Sequence, residues 1–214
     1  MTPTDSQPGL FVTLEGIDRS GKTTQAKLLC DALGDAALAV REPGGTPVGE
    51  RVRELLKDPD ARIEPATEAL LFAAARAQLV SEVIHPALAA GRVVVSDRFL
   101  DSSLAYQGSA RGLGVQEVAQ LNRVATGSLS PDITFLLVLD PQRAAERAGE
   151  QDRFEGEGAE LQQRVLEAYE RLAEADPDRW RRIDADRPPD EVHADLLAAV
   201  EAARSTSPAG AGGR

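Results

Sequence analysis

Apolar residues in this chain fall into short runs, the most β-branched of them Val93-Val94-Val95. Longer stretches separate them, in which apolar residues recur every third or fourth position. The runs Leu10–Glu15, Ala36–Arg41, Arg92–Ser96 and Ile133–Leu139 read as strands, with Trp180–Ile183 as a last edge strand. Val93-Val94-Val95 has no polar alternation, as expected of a central parallel strand covered on both faces. Helical spacing covers Thr23 to about Leu33, Val48–Leu56, Pro65 to about Leu88, Phe99–Thr126 with a break at Gly108–Gly114, Ala159–Ala175 and Pro188–Ala203. Pro86 is expected to kink the third of these near its end. Strands alternating with helices predict an α/β fold, a parallel sheet of about five strands with helices on both faces. Ligands then bind at the carboxyl ends of the strands. Residues 1–9 read as a flexible N-terminus, 10–203 as a single domain, 141–157 as a polar, mobile segment and 204–214 as a disordered tail.

Composition narrows this picture. At 214 residues the chain suits one domain, and it has no apolar run long enough to span a membrane. The opening MTPTDSQPG has neither a basic region nor an apolar one, so no secretory leader is expected. A lone Cys30 suits a reducing compartment and reads as a small core hydrophobe; together these predict a cytoplasmic protein. A net charge of −11 argues against nucleic acid as partner, because neutralising phosphates needs surplus Lys and Arg. Only Lys22, Lys27 and Lys57 among the 24 basic residues are lysines, so arginine content by itself says little and position must decide.

Position does decide at residues 16–23. Gly16-Ile17-Asp18-Arg19-Ser20-Gly21-Lys22-Thr23 reads G-x-x-x-x-G-K-T between a strand and a helix, the arrangement of a P-loop. The glycines let backbone N–H groups turn inward around phosphate oxygens, and the helix start adds its positive end. Residues Gly16 to Thr24 are thus the expected ATP-binding loop, with Lys22 reaching the β- and γ-phosphates and the Thr23 hydroxyl on Mg²⁺. There is no N-K-x-D to read guanine, and Asp31–Gly34, which fits D-x-x-G, lies inside the first helix. A small-molecule kinase remains. Two strands end in Asp. Asp97 is preferred to Asp140 as the Mg²⁺-organising carboxylate, acting through water, because Arg98 and a polar run follow it; Asp140 precedes Pro141 and reads as a helix cap. His85 and His193 read as structural or surface residues.

The run Asp97-Arg98-Phe99-Leu100-Asp101-Ser102-Ser103-Leu104-Ala105-Tyr106-Gln107-Gly108 carries a family resemblance. Together with Leu14-Glu15-Gly16-x-Asp18, Arg41-Glu42-Pro43-Gly44-Gly45-Thr46 and Asp152-Arg153-Phe154-Glu155, it resembles thymidylate kinase over residues 10 to about 200. The resemblance implies a homodimeric P-loop kinase that transfers the γ-phosphoryl of ATP to dTMP with Mg²⁺. It implies that Asp18 binds the acceptor's 3′-hydroxyl and that Arg98 and Arg41 hold its phosphate. Phe72 would stack on thymine, Arg76 meet its O4 and Ser103 sit by the base edge. Tyr106, with Gln107 close by, would pack where a 2′-hydroxyl would go. Arg147 and Arg153 would lie on a lid over ATP. Residue chemistry agrees in part: Phe72 and Arg76 are one helical turn apart, and a ring beside a fork of donors suits a pyrimidine edge. Each of these residues also has a plain reading as core aromatic or surface charge. Family members differ in carrying a basic residue in the loop or in the lid. This chain has Arg19 in the loop as well as Arg147 and Arg153, and Arg19 is expected to be the main stabiliser of the transferring charge. The alternatives are another nucleoside or nucleoside monophosphate kinase, and a nucleotide-binding protein on the same scaffold without catalysis.

Overall fold

The computed structural model describes residues 9–147 and 158–206. In chain order the elements are β1 (Leu10–Glu15), α1 (Lys22–Leu33), a 3₁₀ turn (Gly34–Ala36), β2 (Ala37–Arg41), α2 (Pro47–Lys57) and α3 (Pro65–Leu79). A π-helical turn (Val80–Ile84) leads into α4 (His85–Ala89), then β3 (Val93–Asp97) and α5 (Leu100–Ser103). A second π-helical stretch (Leu104–Ala110) precedes α6 (Val115–Thr126), β4 (Ile133–Val138), α7 (Pro141–Glu146), α8 (Gly158–Ala175), β5 (Trp180–Asp184) and α9 (Pro189–Thr206).

The five strands form one parallel sheet in the order β2-β3-β1-β4-β5, so Trp180–Asp184 is the expected edge strand. The central strands are buried on both sides, and their alternation divides the core in two. Leu10, Val12, Leu14, Val93 and Val95 pack into one apolar cluster, while Phe11 and Val94 pack into the other. Register then places the chemistry. Asp97 lies level with Leu14 of β1 and with Arg41 of β2. The P-loop, the Arg41 loop and the Asp97–Arg98 corner therefore emerge side by side at the carboxyl edge of the sheet.

The structure corrects two sequence expectations and refines a third. Pro65 to Leu88 is not one kinked helix: α3 ends at Leu79, and a π turn joins it to α4. Pro86 supplies no N–H, so the α-type hydrogen bond it would close is missing and the chain widens there instead. The expected mobile lid segment begins with a short helix, α7, because the Asp140 side chain accepts hydrogen bonds from the N–H groups of Gln142 (2.8 Å) and Arg143 (3.3 Å). Helix α9 runs to Thr206, past the expected start of a tail. Arg153 and the rest of the Asp152–Glu155 motif lie outside the described residues, as do 1–8 and 207–214.

Candidate active site

The phosphate loop follows from local sterics. Gly16 has φ 143, and a Cβ there would lie 2.7 Å from the Leu137 carbonyl oxygen. No other residue fits between β1 and β4 at that point. Lys22 is buried and turns back into its own loop, its Nζ donating to the Ile17 carbonyl (2.6 Å) and to Ser20 Oγ (3.2 Å). Burial, with a smaller contribution from the Arg98 charge, pushes the Lys22 ammonium down to about 8. The Thr23 hydroxyl donates to Asp97 Oδ2 at 2.5 Å. A hydroxyl and a carboxylate at a helix start are hard oxygen donors, which suits a Mg²⁺ ion that takes its other ligands from phosphate and water. Among the described residues no cluster of three or more His, Cys, Asp or Glu side chains offers a fuller protein cage. Asp140, the rival carboxylate, is engaged in capping α7.

Arg19 and Arg147 form a reciprocal pair: Arg19 Nη1 donates to the Arg147 carbonyl (3.1 Å) and Arg147 Nη1 to the Arg19 carbonyl (3.2 Å). Arg147 also reaches the Ala185 carbonyl (2.8 Å). Together with Thr24, Arg187, Pro189 and Val192 they line an open cavity over the P-loop, on the side away from Arg41. Nothing in the spacing of Arg187, Pro189 or Val192 marked them for this place.

A second cleft of about 280 Å³ lies on the other side of Lys22. Arg41, Phe72, Arg76, Arg98, Ser103, Tyr106 and Gln107 all line it, with Asp18, Arg19, Thr23 and Asp97 at its junction with the P-loop. At that junction Arg98 is ion-paired with Asp18 (2.5 Å), and its guanidinium lies over the Tyr106 ring at 5.2 Å. Burial would raise the Asp18 carboxyl, but the Arg98 and Lys22 charges hold it below its ordinary value. Arg19 and Arg98 are two of the three described non-glycine residues with left-handed backbone, at φ 62 and 71. Such conformations persist where the surroundings over-determine them, typically around ligands.

Deeper in, Arg76 is 1% exposed and heavily bonded. It pairs with Glu42, donates to Ser103 Oγ (3.0 Å) and the Phe99 carbonyl (3.1 Å), and contacts Asn122 Oδ1. The fork read from the sequence as free for a ligand thus also joins α3, α6 and the Glu42 loop. Gln107 donates to Glu68 (2.8 Å), which Arg111 also holds (3.2 Å). Arg41 sits at the rim, paired with Glu50 (2.9 Å).

Several residues here went unseen in the sequence. Gln162 of α8 accepts from the Asp18 N–H (3.1 Å) and donates to Asp18 Oδ2 (2.8 Å). Glu42, Glu68 and Asn122 are buried polar residues held by Arg76, Gln107 and Arg111. Such placement is costly without partners, but burial is not readable from an unaligned sequence. Arg53 and Lys57 of α2 add positive charge to the cleft wall; the sequence pattern gave only a helix over Val48–Leu56.

Comparison with known proteins shows the family. The family model described as thymidylate kinase matches residues 14–196. A thymidylate kinase of Deinococcus radiodurans is 50% identical over 199 residues, covering 90% of this chain and 96% of that one. One from Caldanaerobacter subterraneus is 48% identical over 198 residues, covering 90% and 95%. The crystal structure of thymidylate kinase from Ehrlichia chaffeensis superposes with a TM-score of 0.76 at 32% identity, over 90% of this chain and 99% of that one.

Proposed function

The chain belongs to the thymidylate kinase family, and from that premise we propose how its residues divide the work of phosphorylating dTMP. It is an ATP-dependent nucleoside monophosphate kinase that converts dTMP and ATP to dTDP and ADP on the route to dTTP. The observation that carries the residue-level reading is the junction where Asp18, Arg98 and Tyr106 meet between two cavities, one over the P-loop and one lined by Phe72 and Arg76. Phosphoryl transfer demands position and positive charge more than a general base. A γ-phosphate held by Gly16–Thr24 would end at this junction, and an acceptor phosphate held by Arg98 and Arg41 would meet it there.

On this reading Lys22, Arg19 and Arg147 serve ATP. Thr23 and Asp97 would hold Mg²⁺, Asp97 through water, and the ion would supply positive charge to offset that of the ATP phosphates. Asp18 takes the 3′-hydroxyl, Phe72 stacks on the base, and Arg76, Ser103 and Gln107 line the base edge. The wall at Tyr106 disfavours a ribose. Arg153 joins the ATP side from the lid. The test is an ADP-release assay with ATP, Mg²⁺ and each of dTMP, dUMP, UMP, dCMP and dGMP. Preference for dTMP with UMP rejected is the expected result; equal turnover of UMP would refute the role of Tyr106.

The protein works as a homodimer on this reading, in the cytoplasm, where a lone thiol stays reduced. The support lies on α3, where Ala66, Thr67, Leu70 and Ala74 are exposed and uncharged, and Leu70 is 57% exposed. Val124 on the adjacent α6 is 85% exposed. In a chain with 28% charged residues, an uncharged face of this kind suits a self-complementary contact. Leu70→Glu should shift the light-scattering mass to that of one chain; a wild-type protein of monomer mass would refute the dimer.

A further inference from the structure

Arg98 has an unusual setting. Its backbone is left-handed, which is unfavourable for a side chain of this size. Its N–H is tied to the Leu14 carbonyl (3.0 Å), and its own carbonyl accepts from Ser96 Oγ (2.6 Å). Asp18 and Tyr106 meet one terminal nitrogen, Nη2. The other, Nη1, donates to the Gly16 carbonyl (3.0 Å), Ser102 Oγ (3.1 Å) and Tyr169 Oη (3.2 Å).

The two hydroxyls share a third partner. Ser102 Oγ (2.6 Å) and Tyr169 Oη (2.8 Å) both donate to Oε2 of Glu15, while Glu15 Oε1 accepts from the Phe99 N–H (2.8 Å). Glu15 and Tyr169 are fully buried. A hydroxyl has a single proton. The two oxygens also lie 2.8 Å apart, so one hydroxyl can donate to the other while the second donates to Glu15. In each arrangement both oxygens keep a lone pair for the Arg98 guanidinium, Glu15 anchors the pair, and Tyr169 brings α8 to a corner otherwise built from β1 and the residues after β3.

From this proton bookkeeping we infer that Tyr169 and Glu15 are positioning residues for the transfer step: through two hydroxyls they hold the Arg98 guanidinium where the acceptor phosphate must sit. The inference rests on the reading of Arg98 as a phosphate-binding group. Neither residue touches substrate; each acts through Arg98.

A double-mutant cycle on the full chain tests it, using ADP release with dTMP varied at saturating ATP and with ATP varied at saturating dTMP. Tyr169→Phe keeps the ring and removes one acceptor from Nη1. It should lower kcat/KM for dTMP about tenfold, since small misplacements of a positioned group are costly, and leave the KM for ATP within about twofold. In an Arg98→Ala background the same change should have less than about a twofold effect. Glu15→Gln, which offers an amide N–H where the hydroxyls now donate, should behave alike and decides the matter if Tyr169→Phe does not fold. Wild-type kcat/KM in the folded variant would overturn the inference. So would a loss that persists undiminished without Arg98, because a general loss of active protein multiplies through any background. Arg98→Ala with full activity would instead overturn the underlying reading of Arg98, and the positioning role with it.

Discussion

The two cavities that meet at Lys22 differ in how they are held. The acceptor cleft is cross-linked before any ligand arrives: Arg76 joins Glu42, Ser103 and Asn122, Gln107 is held by Glu68, and Arg98 is held from both ends. The P-loop side is held mainly to itself. Lys22 bonds its own loop, and Arg19 and Arg147 bond each other's backbone. The contrast follows from the ligands. A base needs fixed donors at a fixed edge, whereas triphosphate oxygens accept many donor arrangements and can organise a flexible cation. The acceptor side is therefore expected to carry stability and the P-loop side to carry charge.

The strongest way to break that division is Lys22→Ala. Turnover should fall about 10³-fold, the scale of losing a key transition-state donor, while the melting temperature stays level or rises because a buried ammonium has been removed. A fall in both would show that the loop side also bears structure. Glu42→Ala is the converse. It leaves the Arg76 guanidinium buried without its carboxylate, so chemical denaturation should show a loss of about 3 kcal/mol or more. A stability within experimental error of wild type would end the claim that the acceptor side is pre-built.

Arg19→Ala is expected to cost about 10²-fold in kcat with little change in the KM for dTMP, a typical loss for one charge-stabilising donor. Arg153→Ala should cost less. If Arg19→Ala turned over normally and Arg153→Ala were dead, the lid arginine would be the main one. The smallest effect is in pH. Free Lys22 is held down to about 8, and bound phosphate requires it charged. Below that value the ammonium is already present. As pH rises through it, ATP affinity should weaken towards about tenfold per unit, read by calorimetry, and Lys22→Arg should flatten the curve.

Much of this was legible in local pattern. The strand runs were short and distinct enough to be placed within a residue or so, and G-x-x-x-x-G-K-T needed nothing beyond its neighbours. Asp97 stood out from Asp140 in the sequence because Arg98 and a polar run follow it, whereas Asp140 precedes a proline and caps α7. The π turns were not legible, since a proline in a helical pattern predicts disruption without saying how the backbone will absorb it. Gln162 and Tyr169 were not either. They lie on an amphipathic helix whose period says only which face is buried, and the bond from Asp18 to Gln162 spans 144 residues.

By itself, then, the sequence determined what each segment is and which chemistry it carries: where the chain extends or coils, which loop holds phosphate, which rings and cations face one way. These are properties of a residue and its near neighbours. Tertiary structure alone decided the partners: which carboxylate holds Arg76, which hydroxyls hold Arg98, and which helix closes over Asp18. Those choices depend on strand order and on how helices pack across the sheet. Only packing brings residues more than a hundred positions apart within hydrogen-bonding distance, and a buried charge must then be matched by whatever the fold places beside it.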